Sequence, residues 1–94
     1  MLTDIEKKLI KKEETFCSNT YHPLPVVLKK GKGVFVWDVN NKKYFDYLSA
    51  YSAVNQGHCN KQILKTFIKQ AKKLTLTSRA FYNNELGASL EYIT

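Results

Sequence analysis

Residues 33–48, GVFVWDVNNKKYFDYL, constrain the fold of this chain more than any other stretch. VFVWDV is rich in β-branched and aromatic residues, Asn40-Asn41 can supply the positive φ angles of a tight hairpin turn, and KYFDYL returns as the partner strand. Upstream, Pro23 and Pro25 exclude helix and favour extended backbone, so Val26-Val27-Leu28 reads as a short strand ahead of a turn at Gly31-Lys32-Gly33. Together these segments predict a small antiparallel β-meander.

Helices flank it. Thr3-Asp4-Ile5-Glu6 fits a capping box, with Leu2 placed as a staple and Ile5 and Leu9 one turn apart, which predicts an amphipathic helix over residues 4–15. Beyond the meander, Asn60 can cap a helix over residues 61–74. Ile63, Leu64, Phe67, Ile68, Ala71 and Leu74 form one face of it, and Lys61, Lys65, Lys69, Lys72 and Lys73 the other. TLTSRAFYNN is a polar connector, and Leu86, Leu90 and Ile93 align on a last helix from Glu85 to Thr94. The expected class is α+β. A last helix without a Gly or Pro stop, and apolar faces too large for 94 residues to cover, read as the N-terminal piece of something larger.

Composition excludes several classes. With 44% apolar and 24% charged residues the chain is too apolar to be disordered. No apolar run reaches the roughly 18 to 20 residues of a membrane span. MLTDIEKKLIKKEE has neither an apolar signal core nor the acid-free, arginine-rich bias of a transit peptide. The expected location is therefore intracellular, the cytoplasm in preference to the mitochondrial matrix. Cys17 and Cys59 lie far apart and are expected as free thiols. The net charge of +7 falls wholly on residues 21–94, because the lysines and acids of the first twenty residues cancel. Such a surface attracts anionic metabolites or nucleic acid, or is a solvated lysine face.

The candidate chemistry is sparse. Gly31-Lys32-Gly33 lacks the third glycine of a phosphate loop, since Val36 stands there, and a strand rather than a helix follows. Cys17, His22, His58 and Cys59 are zinc-type donors without the short spacing that pre-positions ligands; a hydrogen-bonded His58 beside a buried Cys59 is the plainer reading. The lysine face of residues 61–74, with aromatic neighbours, has the ingredients of a single-strand nucleic-acid site, but so does many a surface helix. Tyr21 and Tyr51 sit at chain reversals, where a phenol either walls a pocket and meets a ligand with its O–H or is buried against a backbone carbonyl. SAYSAVNQGHC, between the sheet and the next helix, gathers many hydrogen-bonding groups around the permissive Gly57.

The same residues carry a resemblance. YHPLPVVLKKGKGVFVWDVNNKKYFDYLSAYSAVNQGHC and KKLTLTSRAFYNNELG closely resemble the N-terminal part of eukaryotic ornithine aminotransferases, class-III pyridoxal-phosphate-dependent enzymes of fold type I. The resemblance implies a helical segment over residues 1–20 and, over residues 21–94, part of the small domain of such an enzyme. It implies transfer of the δ-amino group of ornithine to 2-oxoglutarate, giving glutamate 5-semialdehyde and glutamate, with pyridoxal phosphate as cofactor. An amino-acid substrate and a homodimer follow from it, and no nucleic-acid or membrane partner.

By the same resemblance Tyr21 contacts the α-amino end of the substrate, and Tyr51 walls the pocket that decides which amine reaches the cofactor. Asn55, Gln56 and His58 then brace that wall, and Gly57 permits the turn. Two departures stand out. Gly57-His58-Cys59 continues as Asn60-Lys61 where the family has His-Pro, and Phe16-Cys17-Ser18-Asn19-Thr20 replaces the family's Tyr-Gly-Ala-His-Asn before Tyr21. The family's cofactor lysine, the aspartate facing the ring nitrogen, the phosphate-binding turn and the carboxylate-binding arginine have no counterpart in these residues. No catalytic residue is therefore expected, and the chain alone is expected to be inactive. The alternatives are a non-catalytic interaction module built on the same fold piece and, further off, a small basic nucleic-acid binder.

Overall fold

The computed structural model describes residues 1–18 and 20–94, so Asn19 in the departure before Tyr21 lies outside the described residues. The chain divides into two compact units, Met1–Asn60 and Lys61–Thr94.

The first unit opens with α1 (Asp4–Phe16), which is capped as its sequence demands: Glu6 N–H donates to Thr3 Oγ1 at 3.4 Å and Thr3 N–H to Glu6 Oε2 at 2.8 Å. The capping box also serves a tertiary purpose. Glu6 is 7% exposed, and its other oxygen accepts from Asn40 Nδ2 at 2.7 Å, so the helix start is tied to the tip of the hairpin. The apolar pair Ile5 and Leu9 remains exposed.

Strands β1 (Leu28–Lys32), β2 (Phe35–Asp38) and β3 (Lys43–Phe45) form an antiparallel sheet in the order β1-β2-β3. The predicted meander is present, but β1 begins at Leu28 and runs through Gly31 rather than covering Val26–Leu28. The cause is local: Val26 N–H folds back onto the Leu24 carbonyl at 2.7 Å, which keeps the segment after the prolines in a turn. The two-residue connection between Lys32 and Phe35 takes Gly33 at φ +58°.

At the other end, only Asn41 of the Asn40-Asn41 pair has positive φ, 65°. The Asp38 carboxylate selects that geometry. Its Oδ1 accepts from Asn40 N–H and Lys42 N–H, both at 2.9 Å, and its Oδ2 from Tyr44 O–H at 2.8 Å, which closes a three-residue loop instead of a two-residue one.

The register sorts the two sheet faces. Val36 pairs with Gly31 and with Tyr44, and Val36 is the only buried apolar side chain among the described residues. Asp38 and Asp46, two positions on from Val36 and Tyr44, share this face by strand alternation. The opposite face sets Phe35 against Phe45, tilted by 42° with ring centres 4.8 Å apart, with Lys43 Nζ 3.7 Å from the centre of the Phe35 ring and Lys30 Nζ 4.7 Å from that of Trp37.

After β3, α2 (Ser49–Ser52) is one turn of the wrong hand, described below. The second unit holds α3 (Lys61–Ala71) and α4 (Leu86–Ile93). The regular part of α3 stops one turn short of the predicted Leu74, with Gln70 Nε2 donating to the Leu74 carbonyl over the frayed end. Asn83 Oδ1 accepts from the N–H groups of Glu85 and Leu86 and starts α4. No described residue of this unit is buried.

Candidate substrate-contact site around a left-handed turn

Ser49, Ala50, Tyr51 and Ser52 have φ of 51°, 50°, 56° and 73°, so four successive residues with side chains occupy the left-handed region. L-residues avoid it because Cβ crowds the following carbonyl, at roughly 1–2 kcal/mol per residue, or about 4–8 kcal/mol for such a turn. That is comparable to the whole stability of many domains. Strain of this kind persists only where surrounding contacts over-determine it.

The contacts converge on Asp46. Its Oδ1 accepts from Ser49 N–H at 2.9 Å, Ser49 Oγ donates to the Asp46 carbonyl at 3.1 Å, and His58 Nε2 lies 2.6 Å from Oδ2. His58 is itself pinned to the first hairpin. It exchanges two backbone hydrogen bonds with Gly33, at 2.9 and 2.8 Å, and its ring lies so close over Gly31 that a Cβ there would stand 2.6 Å from Cγ. Gly57, at φ +83°, passes Gly33 so closely that a Cβ would meet its backbone at 3.2 Å. Residues 46–58 are therefore an excursion clasped at its base.

Electrostatics reinforce the clasp. The Ser49 N–H bond, then the His58 bond, hold the Asp46 carboxyl below its ordinary value against the opposing effect of partial burial, and the His58 charge and Leu48 N–H add to them. With Asp46 ionised it can only accept, so His58 Nε2 carries the proton and donates. At the hairpin, burial is the largest influence on Asp38 and raises it. The bonds from Lys42 N–H, Tyr44 O–H and Asn40 N–H, with the Lys42 charge, together outweigh burial and leave Asp38 below its ordinary value. Tyr44 is raised, first by its bond to Asp38 and then by burial.

Tyr51 is 87% exposed and Tyr21 82%, and neither phenol has a hydrogen-bond partner among the described residues. Asn55 and Gln56 are also exposed, and only the Gln56 carbonyl is engaged, by Asn60 Nδ2 at 3.4 Å. Two surface grooves, one along Glu6, Asp38 and Tyr44 and one along Gln70, Arg79 and Leu86, are lined by neither Tyr21 nor Tyr51.

Cys59, expected to be buried, is exposed at φ 52°, because its neighbour His58 takes the inward position. Asp46 and Gly31 were missed from the sequence. The signal for Asp46 was an acid two residues after Tyr44, on the face that also carries Val36.

The residues present do not form a pyridoxal phosphate site. Every lysine is exposed, and the His58 ring occupies the space that a side chain would take at Gly31.

The aminotransferase class-III family profile matches residues 16–94. A protein from Drosophila ananassae named ornithine aminotransferase, mitochondrial, is 58% identical over 90 residues, covering 96% of this chain and 21% of that protein. The solved structure of Plasmodium falciparum ornithine delta-aminotransferase superposes with a TM-score of 0.90 at 51% identity, over 94% of this chain and 23% of that one. That of an acetylornithine aminotransferase from Elizabethkingia anophelis gives 0.89 at 57% identity, with the same coverage. The N-terminal helix, three-stranded antiparallel sheet and following helices thus have their counterpart in fold type I aminotransferases. The chain belongs to the class-III aminotransferases, and it spans about a fifth of the length of the curated relatives it matches.

These names correct one expectation. Relatives from flies, a nematode and the rat are named mitochondrial, which overturns the preference for the cytoplasm. That preference rested on MLTDIEKKLIKKEE lacking the acid-free, arginine-rich bias of a transit peptide, and its acids Asp4 and Glu6 stand in the first turn of α1, where they serve the helix start.

Proposed function

We propose that this chain is a substrate-recognition part of an aminotransferase that moves the δ-amino group of ornithine to 2-oxoglutarate, giving glutamate 5-semialdehyde and glutamate. Residues 21–94 belong to the small domain, and residues 1–20 are a helical segment ahead of it. The observation that carries this reading is the pair of exposed phenols, Tyr21 and Tyr51, the second on a turn too strained to be an ordinary loop. In a diamine substrate both ends can react, so a site must hold one amine away to present the other. Tyr21 meets the α-amino end and Tyr51 walls the pocket.

Pyridoxal phosphate supplies the electron sink for amino transfer, and groups outside these residues hold it. Their absence here is why the chain alone does not turn over. The exposed apolar faces of α3 and α4 are covered in the working protein by the rest of that protein or by a second copy, as in a homodimer. No helix among the described residues is long and apolar enough to cross a membrane.

The test is a hybrid in which residues 16–94 replace the matching segment of a full-length relative. Tyr21→Phe in that hybrid should lower kcat/KM for ornithine by the worth of one neutral hydrogen bond, about 0.5–1.5 kcal/mol or roughly two- to twelvefold. An unchanged value removes Tyr21 from the site. The similarity to an acetylornithine aminotransferase favours a second reading, in which the donor is N-acetylornithine with its α-amine blocked. In that case the hybrid prefers the acetylated substrate and Tyr21→Phe leaves its use unchanged.

A further inference from the structure

We propose that Asp46 is the positioning residue for Tyr51: its carboxylate, shared between Ser49 N–H and the His58 ring, holds residues 49–52 in their left-handed turn and so sets where the Tyr51 phenol stands. The inference rests on the reading of Tyr51 as a pocket wall.

The backbone bonds inside the turn include Tyr51 N–H to the Leu48 carbonyl and Val54 N–H to the Ser49 carbonyl, both at 3.0 Å. The Tyr51 ring is 87% exposed among the described residues. What remains is the clasp. Asp46 stands at the end of β3, tied to the sheet by its N–H to the Val34 carbonyl at 2.8 Å. From there Oδ1 reaches forward to the first residue of the turn and Oδ2 reaches across to His58, which the sheet holds independently through Gly33 and Gly31. One carboxylate thus joins the entry of the excursion to its exit. The side-chain length matters, because both bonds, at 2.9 and 2.6 Å, are already short. Asp46→Ala removes both bonds, whereas Asp46→Asn keeps an acceptor for Ser49 N–H and surrenders the ionic partner of His58.

Two measurements test this. In the full 94-residue chain, NMR should give the strong intraresidue Hα–HN cross-peaks of positive φ at residues 49–52. Asp46→Ala should abolish them, Asp46→Asn should weaken them, and both should leave the cross-strand peaks between Val36 and Tyr44 in place. Absence of the cross-peaks from the unsubstituted chain, or their survival in Asp46→Ala, overturns the proposal.

In the hybrid enzyme, Tyr51→Ala should change the ratio of kcat/KM for ornithine to that for 4-aminobutyrate by roughly tenfold or more. Asp46→Ala should change the ratio in the same direction, but by less than about twofold when added to Tyr51→Ala, because it acts through that side chain. A ratio moved by Tyr51→Ala and untouched by Asp46→Ala refutes the positioning role and spares the reading of Tyr51. A ratio moved by neither overturns the reading of Tyr51, and the proposal with it.

Discussion

Gly31→Ala probes the seat of His58. A Cβ at this position would lie 2.6 Å from His58 Cγ and 2.9 Å from its Cβ and Nδ1, and Gly31 itself has no positive φ, so the strain is purely one of space. Carbon atoms rest at about 3.5–4.0 Å, which requires the ring to retreat by about 1 Å. Such a displacement would distort the bond from the same ring to Asp46, 2.6 Å in the structure. Overpacking of this kind costs about 1–3 kcal/mol.

The sign should reverse once the whole side chain is gone. In a His58→Gly background all three of those atoms are absent, and Gly31→Ala should stabilise by about 0.4–1 kcal/mol through the unfolded chain. The coupling between the two positions is therefore about 1.4–4 kcal/mol. Hydrogen exchange at the Gly33 and His58 amides in the hybrid enzyme reads it directly, because those N–H groups form the bonds that release when the clasp opens. Exchange unchanged within about 0.3 kcal/mol in Gly31→Ala, or equally faster in both backgrounds, would refute the argument.

Three further outcomes are expected. Because folding depresses the carboxyls of Asp46 and Asp38 below 3.8, their contribution is complete above that value and lost as pH falls through the lower folded one. The positive-φ cross-peaks of residues 49–52 should accordingly persist from neutral pH to about pH 4 and fade below it; loss at pH 5 to 6 would contradict the assignment. Tyr44, raised above 10.0, contributes below that value and loses its contribution as pH rises through the folded one, so a spectrophotometric titration should find a tyrosine ionising late and Tyr44→Phe should remove it. Thr3→Ala should cost about 1 kcal/mol of helix stability and also loosen Asn40, read as faster exchange at the hairpin tip; an effect confined to α1 would mean that the cap and the hairpin are independent.

Pyridoxal phosphate mixed with the chain, followed by borohydride reduction and peptide mapping, should give scattered low-yield lysine adducts, since every lysine is exposed. One dominant saturable adduct would mean that a cofactor site exists among these residues.

Much of the architecture could be read from local chemistry. Thr3 and Glu6 announce the start of α1, the β-branched and aromatic run announces β2, and the apolar stripe from Ile63 to Leu74 announces α3, because capping, alternation and helical periodicity are properties of neighbours in the chain. Resemblance in the stretch from Tyr21 onward pointed to the family that the profile match then established. What the sequence could not specify lies where distant residues meet. The hairpin loop at Asn40 and Asn41 took its form from the Asp38 carboxylate and from Glu6, 34 residues away from Asn40. Ser-Ala-Tyr-Ser has no local preference for the left-handed region, and nothing in those four letters signals it. Their conformation depends on Asp46, His58 and two glycines brought together by the sheet. Local propensities sum over a few residues, whereas a strained turn is held by contacts that exist only after the strands have paired.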